Sequence, residues 1–439
     1  MKLDWDHYSD QPAVIKDRAL KKQIYKQVRW DSLKMLLTNL VMYPICIINY
    51  LLFPVKKIST DTTAFFGMSI NLDQNPEQTH ALIDDLGVKN LLIRMPLSDI
   101  ENIQRYVNFT KQYKDKNILI NILQDRRHIE DHALLKTSLE QVFSKFSPLT
   151  NRFQLGNAIN RKKWAIFSMD EFLRFYKVGF DLRNEKFPNI KLLGSSVIDF
   201  EYYFSIRTLF NLHKVRFDQF SSLLYVDRRG APENTQMGLD LPKKLHLMQS
   251  MLRLSPKSSS EIVITETNWP ITNTAPYAPT SENDCVDLEA HANFLVRYYL
   301  LALASNVVKN VYWHQLIAPG YGLIDNRNDQ LIKYPAYNAF KVMLKQLQGA
   351  TFIELTKTNA VIIARFSKKK NDNTNEEIDV YWQNDDNKNI DVHTIINIDK
   401  INQFLIDRDG IPHNIEKFTV KSSPVYLIKQ IKLTSQDDT

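Results

Sequence analysis

Along most of the chain, short uncharged runs rich in Val, Ile and Leu alternate with longer stretches whose apolar residues recur every three or four positions. The short runs predict buried strands, and the longer recurrence predicts helices with one apolar face. Strands are predicted over 64–70, 90–94, 117–123, 152–156, 190–198, 217–226, 261–266 and 310–314. Helices are predicted to follow them over 76–86, 97–114, 129–145, 168–184, 201–213, 241–254, 286–305 and 334–347. Strict alternation of strand and helix argues for a parallel sheet covered by helices, and eight pairs favour closure into a (β/α)8 TIM barrel over residues 61–350.

Two flanking regions break this rhythm. After Gly349, period-two strands are predicted over 351–355, 360–366, 378–382, 404–406 and 425–428, separated by turns rich in Asn, Asp and Lys. They predict a small antiparallel β domain, sandwich-like, over 351–439, with 368–377 as a solvated polar hairpin loop. Residues 1–60 form an arm, with a basic helix predicted over 17–30. Residues 35–55 then carry no charge between Lys34 and the pair Lys56 and Lys57. That length can cross a bilayer, yet Asn39, Pro44, Asn49 and Pro54 suit a simple spanning helix poorly. Three arrangements stay open: a helix pair lying on the membrane surface, a spanning anchor, or a helix buried against the barrel.

Charge sharpens this picture. The formal net charge is +7, and the ten Lys/Arg and five Asp/Glu before residue 60 place +5 of it on the arm. The body is nearly balanced, which argues against a nucleic-acid partner. A basic arm beside an apolar run fits an anionic membrane surface, on a side the sequence does not reveal. Two cysteines, Cys46 and Cys285, make neither a disulfide framework nor a zinc set. With 11 glycines and no phosphate-loop string, no nucleotide cofactor is expected. His128 and His132 stand at i, i+4 with no third ligand nearby, so no metal is expected.

In such a barrel the chemistry sits at the carboxyl ends of the strands. In order these ends read Ser69 and Asn71, Arg94, Asn121 with Asp125, Asn157, Asp199, Tyr225 with Asp227, Glu266, and Trp313 with His314. Aromatic faces, amides and carboxylates converging on one mouth suit a neutral polyhydroxylated ligand. Trp269, on the Pro-rich loop 267–283, is expected to wall the pocket. The loop Asp227-Arg228-Arg229, with Glu233 beyond it, reads either as a self-neutralising surface loop or as an anion clamp.

Five of these positions carry a resemblance. Arg94, Asn157, Tyr225, Glu266 and Trp313, in that order, resemble the pattern of the clan A retaining glycoside hydrolases over residues 62–350. The resemblance implies the barrel, a carbohydrate ligand, and Glu266 as nucleophile with the other four about the substrate. It also implies an acid/base Glu directly after Asn157, where this chain has Ala158. Retaining hydrolysis uses two carboxyl groups about 5–5.5 Å apart, and losing the general acid costs about 10²–10⁴-fold. Three outcomes are open: another carboxylate among Asp199, Glu201, Asp227 and Glu233 serves; the leaving group needs no proton; or the site only binds sugar. The expectation is a membrane-associated protein that recognises, and in two of these outcomes processes or transfers, an envelope glycan or glycolipid, with a non-catalytic sugar-binding scaffold as the alternative.

Overall fold

The computed structural model describes residues 4–432, other than 59, 227–229, 329, 359–360, 372–373, 385–389 and 392–402. Eight parallel strands close on themselves: β1 (Phe66–Ile70), β2 (Asn90–Pro96), β3 (Asn117–Leu123), β4 (Arg152–Leu155), β5 (Lys191–Ile198), β6 (Gln219–Leu223), β7 (Ile262–Thr267) and β8 (Val308–Trp313). The last strand returns to the first, Val311 pairing with Phe66 and Trp313 with Met68. The expected TIM barrel is present.

Alternation along each strand decides which residues reach the barrel interior. Leu92, Leu119, Leu193, Val263 and Tyr312 form a separate interior cluster. Their neighbours Leu91, Ile93, Ile118, Ile120, Ile264 and Val311 belong to the larger core shared with the helices. Near the amino-terminal end, Arg152 donates to Gln219, Asn310 and the Tyr312 hydroxyl, plugging the interior with paired polar groups.

Arg18–Leu52 is one continuous helix, α1, capped by the Asp17 carboxylate. The basic helix expected over 17–30 and most of the uncharged run 35–55 are parts of this one helix. At about 1.5 Å per residue its 35 residues run about 50 Å down the barrel flank. Tyr25 lies under Lys162 of a mouth loop, while Pro54 and Asn49 meet Arg253 near the opposite face. It packs on Tyr202–Leu209 (α6) and Leu241–Leu254 (α7), counting from Pro76–Leu86 (α2), Ile103–Lys111 (α3), His132–Phe146 (α4) and Met169–Lys186 (α5).

Leu288–Ala304 (α8) and Pro335–Leu347 (α9) complete the helical layer. The continuous helix expected over 129–145 is interrupted at Asp131, which caps α4 and has extended backbone. His128 and His132 therefore fall on different helices, and the His128 ring bonds Asp125 and Ser138.

Beyond the barrel lies an antiparallel sheet of Thr351–Thr358 (β9), Val361–Asn371 (β10), Thr374–Gln383 (β11), Gln403–Asp407 (β12), Pro412–His413 (β13) and Val425–Lys432 (β14), in the order β9-β10-β11-β14-β12-β13. The polar stretch 368–377 is not a loop: β10 and β11 stay paired to Asn371 and Thr374. One face, with Ile362, Phe366, Val380 and Trp382, joins the barrel core, and the other, with Ile363, Tyr381 and Leu427, makes its own cluster. Trp382 Nε1 donates to Glu233 Oε1 at 2.7 Å, and Arg297 of α8 grips the same carboxylate, with Nε at 2.9 Å.

Candidate functional site

Arg94 stands near the carboxyl end of β2, two residues beyond the inward-facing Leu92, so the pleat carries it into the barrel mouth. Tyr225 likewise lies two residues beyond Leu223. Glu266 stands three residues beyond the inward Val263, a spacing that regular alternation would turn outward. The pairing of β7 with β8 slips between Ile264–Val311 and Thr267–Trp313, and the extra residue re-aims the carboxylate. Tyr225 donates its hydroxyl to Glu266 Oε1 at 2.7 Å, and Arg94 Nη2 lies 3.3 Å from Oε2. Both carboxylate oxygens are thus held from opposite sides.

A second carboxylate reaches the same guanidinium from outside the barrel. Trp5–Asp6 and Gln11–Pro12 pair as a hairpin whose tip enters the mouth. Asp10, with a left-handed backbone at φ 49°, lies 3.1 Å from Arg94 Nη1 through Oδ2. The same oxygen accepts from Asn71 Nδ2 and Gln315 Nε2, each at 3.0 Å. Tyr321 donates to the Ser9 carbonyl, Lys163 to Gln11, and Trp5 stands edge-on to Trp164.

Together these groups bound a cavity of about 600 Å³, within the usual range for small-molecule sites. Asp199, Glu201, Phe200, Trp164, His314 and Tyr321 also line it. Among the described lining residues five are carboxylates (Asp10, Asp199, Glu201, Glu266, Asp284) and three are cations (Arg94, Arg161, Lys163). A mouth with that excess of anions suits a neutral ligand better than an acidic one.

No protein-family model matches the chain, and no curated protein matches it in sequence. Solved structures do match. A family 39 glycoside hydrolase from Bacteroides cellulosilyticus WH2 superposes with a TM-score of 0.61 at 14% identity, covering 85% of this chain and 83% of the other. A family 30 endoxylanase from Clostridium papyrosolvens C71 gives 0.55 at 11%, covering 86% and 98%. A family 39 β-xylosidase from Caulobacter crescentus gives 0.53 at 10%, covering 86% and 98%. The fold is the barrel that these glycoside hydrolases share. At these identities the likeness is one of architecture.

Within that barrel the expected residues separate into groups. Arg94, Tyr225, Glu266, Asp199, Glu201 and His314 share the cavity. Trp313 does not line it. It follows the inward Tyr312 by one residue, so it points into the helix layer, stacked at 5.8 Å on Trp269. Trp269 is also buried, its Nε1 donating to the Gly230 carbonyl. Trp313, expected at the substrate, and Trp269, expected to wall the pocket, therefore sit behind the site, and Trp164 and Phe200 line it instead.

Asn157 is buried below the mouth, accepting from Asn121. Asp227 and Arg228 lie outside the described residues. Glu233 does not reach the cavity as an acid: its carboxylate is locked between Arg297 and Trp382.

Ala158 occupies the position where the resemblance implies the acid/base Glu. It is 1% exposed and packs with Leu123, Trp164, Leu223 and Tyr225. Asp199 and Glu201 reach the same cavity but are bound to one guanidinium: Arg161 Nη2 to Asp199 at 2.5 Å and Nη1 to Glu201 at 2.7 Å.

Burial works against the Arg94 charge, but Asp10 and Glu266 outweigh it and raise its pKa. Burial, with Arg94 nearby, drives His314 well below the ordinary histidine range, so it is neutral at pH 7. Burial and the neighbouring Asp10 push the Tyr321 phenol well up, keeping it a hydroxyl donor.

Sequence reasoning passed over Asp10, Arg161, Trp164, Phe200 and Tyr321. Trp164 and Phe200 follow predicted strands closely enough to have been sought on mouth loops. Asp10 carries no such signal, since only the folded chain brings residue 10 to residues 71, 94 and 315.

Proposed function

We propose that the protein is a carbohydrate-active protein of the membrane surface, with Glu266 as its nucleophile. The observation that carries this reading is the gripping of Glu266 by Arg94 and Tyr225 at the floor of an open, anion-rich, aromatic-flanked cavity. In the proposed step a Glu266 oxygen attacks the anomeric carbon. A new C–O ester bond forms as the glycosidic C–O bond breaks, and the leaving group departs with the electron pair. With Ala158 walled in by apolar side chains, neutral substrates whose leaving group departs unprotonated suit the site best. Water or an acceptor hydroxyl then releases the sugar.

The arm supports a surface rather than a spanning placement. Asn39 donates to the Tyr203 carbonyl and Asn49 to that of Ser250, so the polar residues of the apolar stretch face the barrel. Leu36, Leu40 and Leu51 face away, 56%, 64% and 71% exposed. The basic residues Lys21, Lys22, Lys26 and Arg29 extend from the same helix. A helix laid flat in the headgroup region, with cations for anionic lipid, fits this division. Because α1 runs along the flank from the mouth downwards, the mouth would then open sideways along the membrane, where a glycolipid headgroup can enter it.

The test is treatment of the full chain with activated deoxyfluoro glycosides of xylose, glucose and galactose carrying a dinitrophenolate leaving group. The expected result is a mass gain of one fluorosugar on the peptide containing Glu266, absent in Glu266→Gln. Labelling nowhere, or only on another residue, contradicts the reading.

A further inference from the structure

We infer that the amino-terminal hairpin is a built wall of the sugar site and that Asp10 is one of its ligand-contacting residues, selecting a neutral sugar. The inference rests on the carbohydrate reading above and adds to it a residue from outside the barrel.

Three observations carry it. First, the hairpin is fixed on several sides rather than laid loosely over the opening. Arg94 donates to the Asp10 backbone carbonyl at 3.2 Å as well as to its carboxylate, Lys163 to Gln11 at 2.5 Å, and Tyr321 to Ser9 at 3.3 Å. Trp5 and Tyr8 each set an aromatic edge against Trp164 and Tyr277.

Second, the hairpin does not fill the site. The cavity of about 600 Å³ persists with it in place, and Ser9, Asp10 and Gln11 form part of its lining.

Third, the two oxygens of Asp10 are used unequally. Oδ2 takes three donors, from Asn71, Arg94 and Gln315, while no described residue donates to Oδ1. Asp10 is 8% exposed and lines the cavity, so this acceptor is open to a ligand held there. A carboxylate oxygen so placed beside the nucleophile's own Arg takes a hydroxyl donor. Sugar hydroxyls supply one. A carboxylate or phosphate group on the ligand would be repelled there, which fits the five-to-three excess of anions among the described residues that line the cavity. The hairpin is followed directly by α1, after residues 13–17, so the segment that lies along the flank also carries the wall.

Asp10→Asn isolates the contact. Its amide oxygen can take the three donors now on Oδ2, leaving the NH2 group to face the cavity, a donor where an acceptor stood. In the full chain, with the fluoroglycoside that labels the wild type fastest, the apparent dissociation constant for labelling is expected to rise about tenfold or more. Equal dissociation constants for wild type and Asp10→Asn overturn the contact, as does tighter binding in the variant, which would mark Asp10 as a plug that ligand must displace.

Hydrogen exchange in the unliganded full chain tests the wall without any sugar. Protection of the Ala13 amide, which donates to the Asp4 carbonyl at 2.8 Å, is expected. Exchange at the rate of a free peptide overturns the wall. A wild type that no fluoroglycoside labels removes the carbohydrate reading and Asp10's contact with it, whereas labelling that ignores residue 10 removes only the inference.

Discussion

Arg94 Nη2 stands 3.3 Å from Glu266 Oε2, and the same guanidinium meets Asp10 through Nη1 at 3.1 Å. One buried cation thus joins strand β2, strand β7 and the amino-terminal hairpin, and removing it would leave two buried carboxylates facing each other. Arg94→Met is expected to destabilise the fold by about 3–5 kcal/mol, the usual cost of breaking a buried pair from one side. Denaturant midpoints at pH 7 measure this. A change within about 0.5 kcal/mol, as for an exposed substitution, would mean the pairing is not formed.

Ala158 allows a sharper prediction about the acid/base position. Its backbone is left-handed, at φ 44°, and its Cβ meets an apolar cluster. Ala158→Glu would bury a carboxylate among Leu123, Leu223 and Trp164 in a conformation that disfavours a long side chain. A loss of about 2–5 kcal/mol in stability is expected, with no gain in hydrolysis of unactivated glycosides. Unchanged thermal unfolding together with new hydrolytic activity would mean that the site already has room for its acid.

The outward stripe of α1 separates membrane binding from folding. Leu36→Gln, Leu40→Gln and Leu51→Gln together should abolish co-sedimentation with vesicles rich in anionic lipid. Folding stability should shift by less than about 0.5 kcal/mol per site, because these side chains already face solvent. Asn49→Ala, on the opposite face, should cost about 1–3 kcal/mol through the lost bonds to Ser250 and Arg253, yet leave vesicle binding intact. Vesicle binding by the triple variant at wild-type strength would put the membrane contact elsewhere.

A pH dependence follows from His291, buried against Trp313 with Nε2 at 3.3 Å from the Tyr321 carbonyl. Burial lowers its pKa to about 4 from an ordinary value of 6.5. The unfolded chain takes up this proton first as pH falls. The contribution of a neutral His291 is therefore whole above pH 6.5 and is lost progressively down to about pH 4, a swing of about 3 kcal/mol. His291→Gln should flatten the stability profile by that amount over this interval. Parallel profiles for the two proteins would contradict the burial of a neutral ring.

What could be read from the chain beforehand follows from how local each signal is. The barrel was legible because buried parallel strands are short apolar runs and the covering helices have their own period. Arg94, Tyr225 and Glu266 were legible because a polar residue ending such a run has few places to go but the mouth. Trp313 misled because adjacent strand residues point to opposite faces, and nothing in Tyr312-Trp313-His314 says which one faces in. Asn39 and Asn49 read as faults in a spanning helix, whereas each bonds a carbonyl of the barrel helices. The hairpin was silent, since residues 4–12 have neither a long apolar run nor a recognisable motif, and every contact that gives Asp10 meaning is more than sixty residues away.

The central claim is that Glu266 attacks a sugar held in this mouth. Crystals of the full chain soaked with the fluoroglycoside that labels it fastest test this most directly. Continuous density from a Glu266 carboxylate oxygen to the anomeric carbon, with Tyr225 and Arg94 still about that carboxylate and Asp10 against a ring hydroxyl, is the predicted result. A sugar bound elsewhere, or a mouth that stays without sugar while Glu266 keeps both partners, would contradict it.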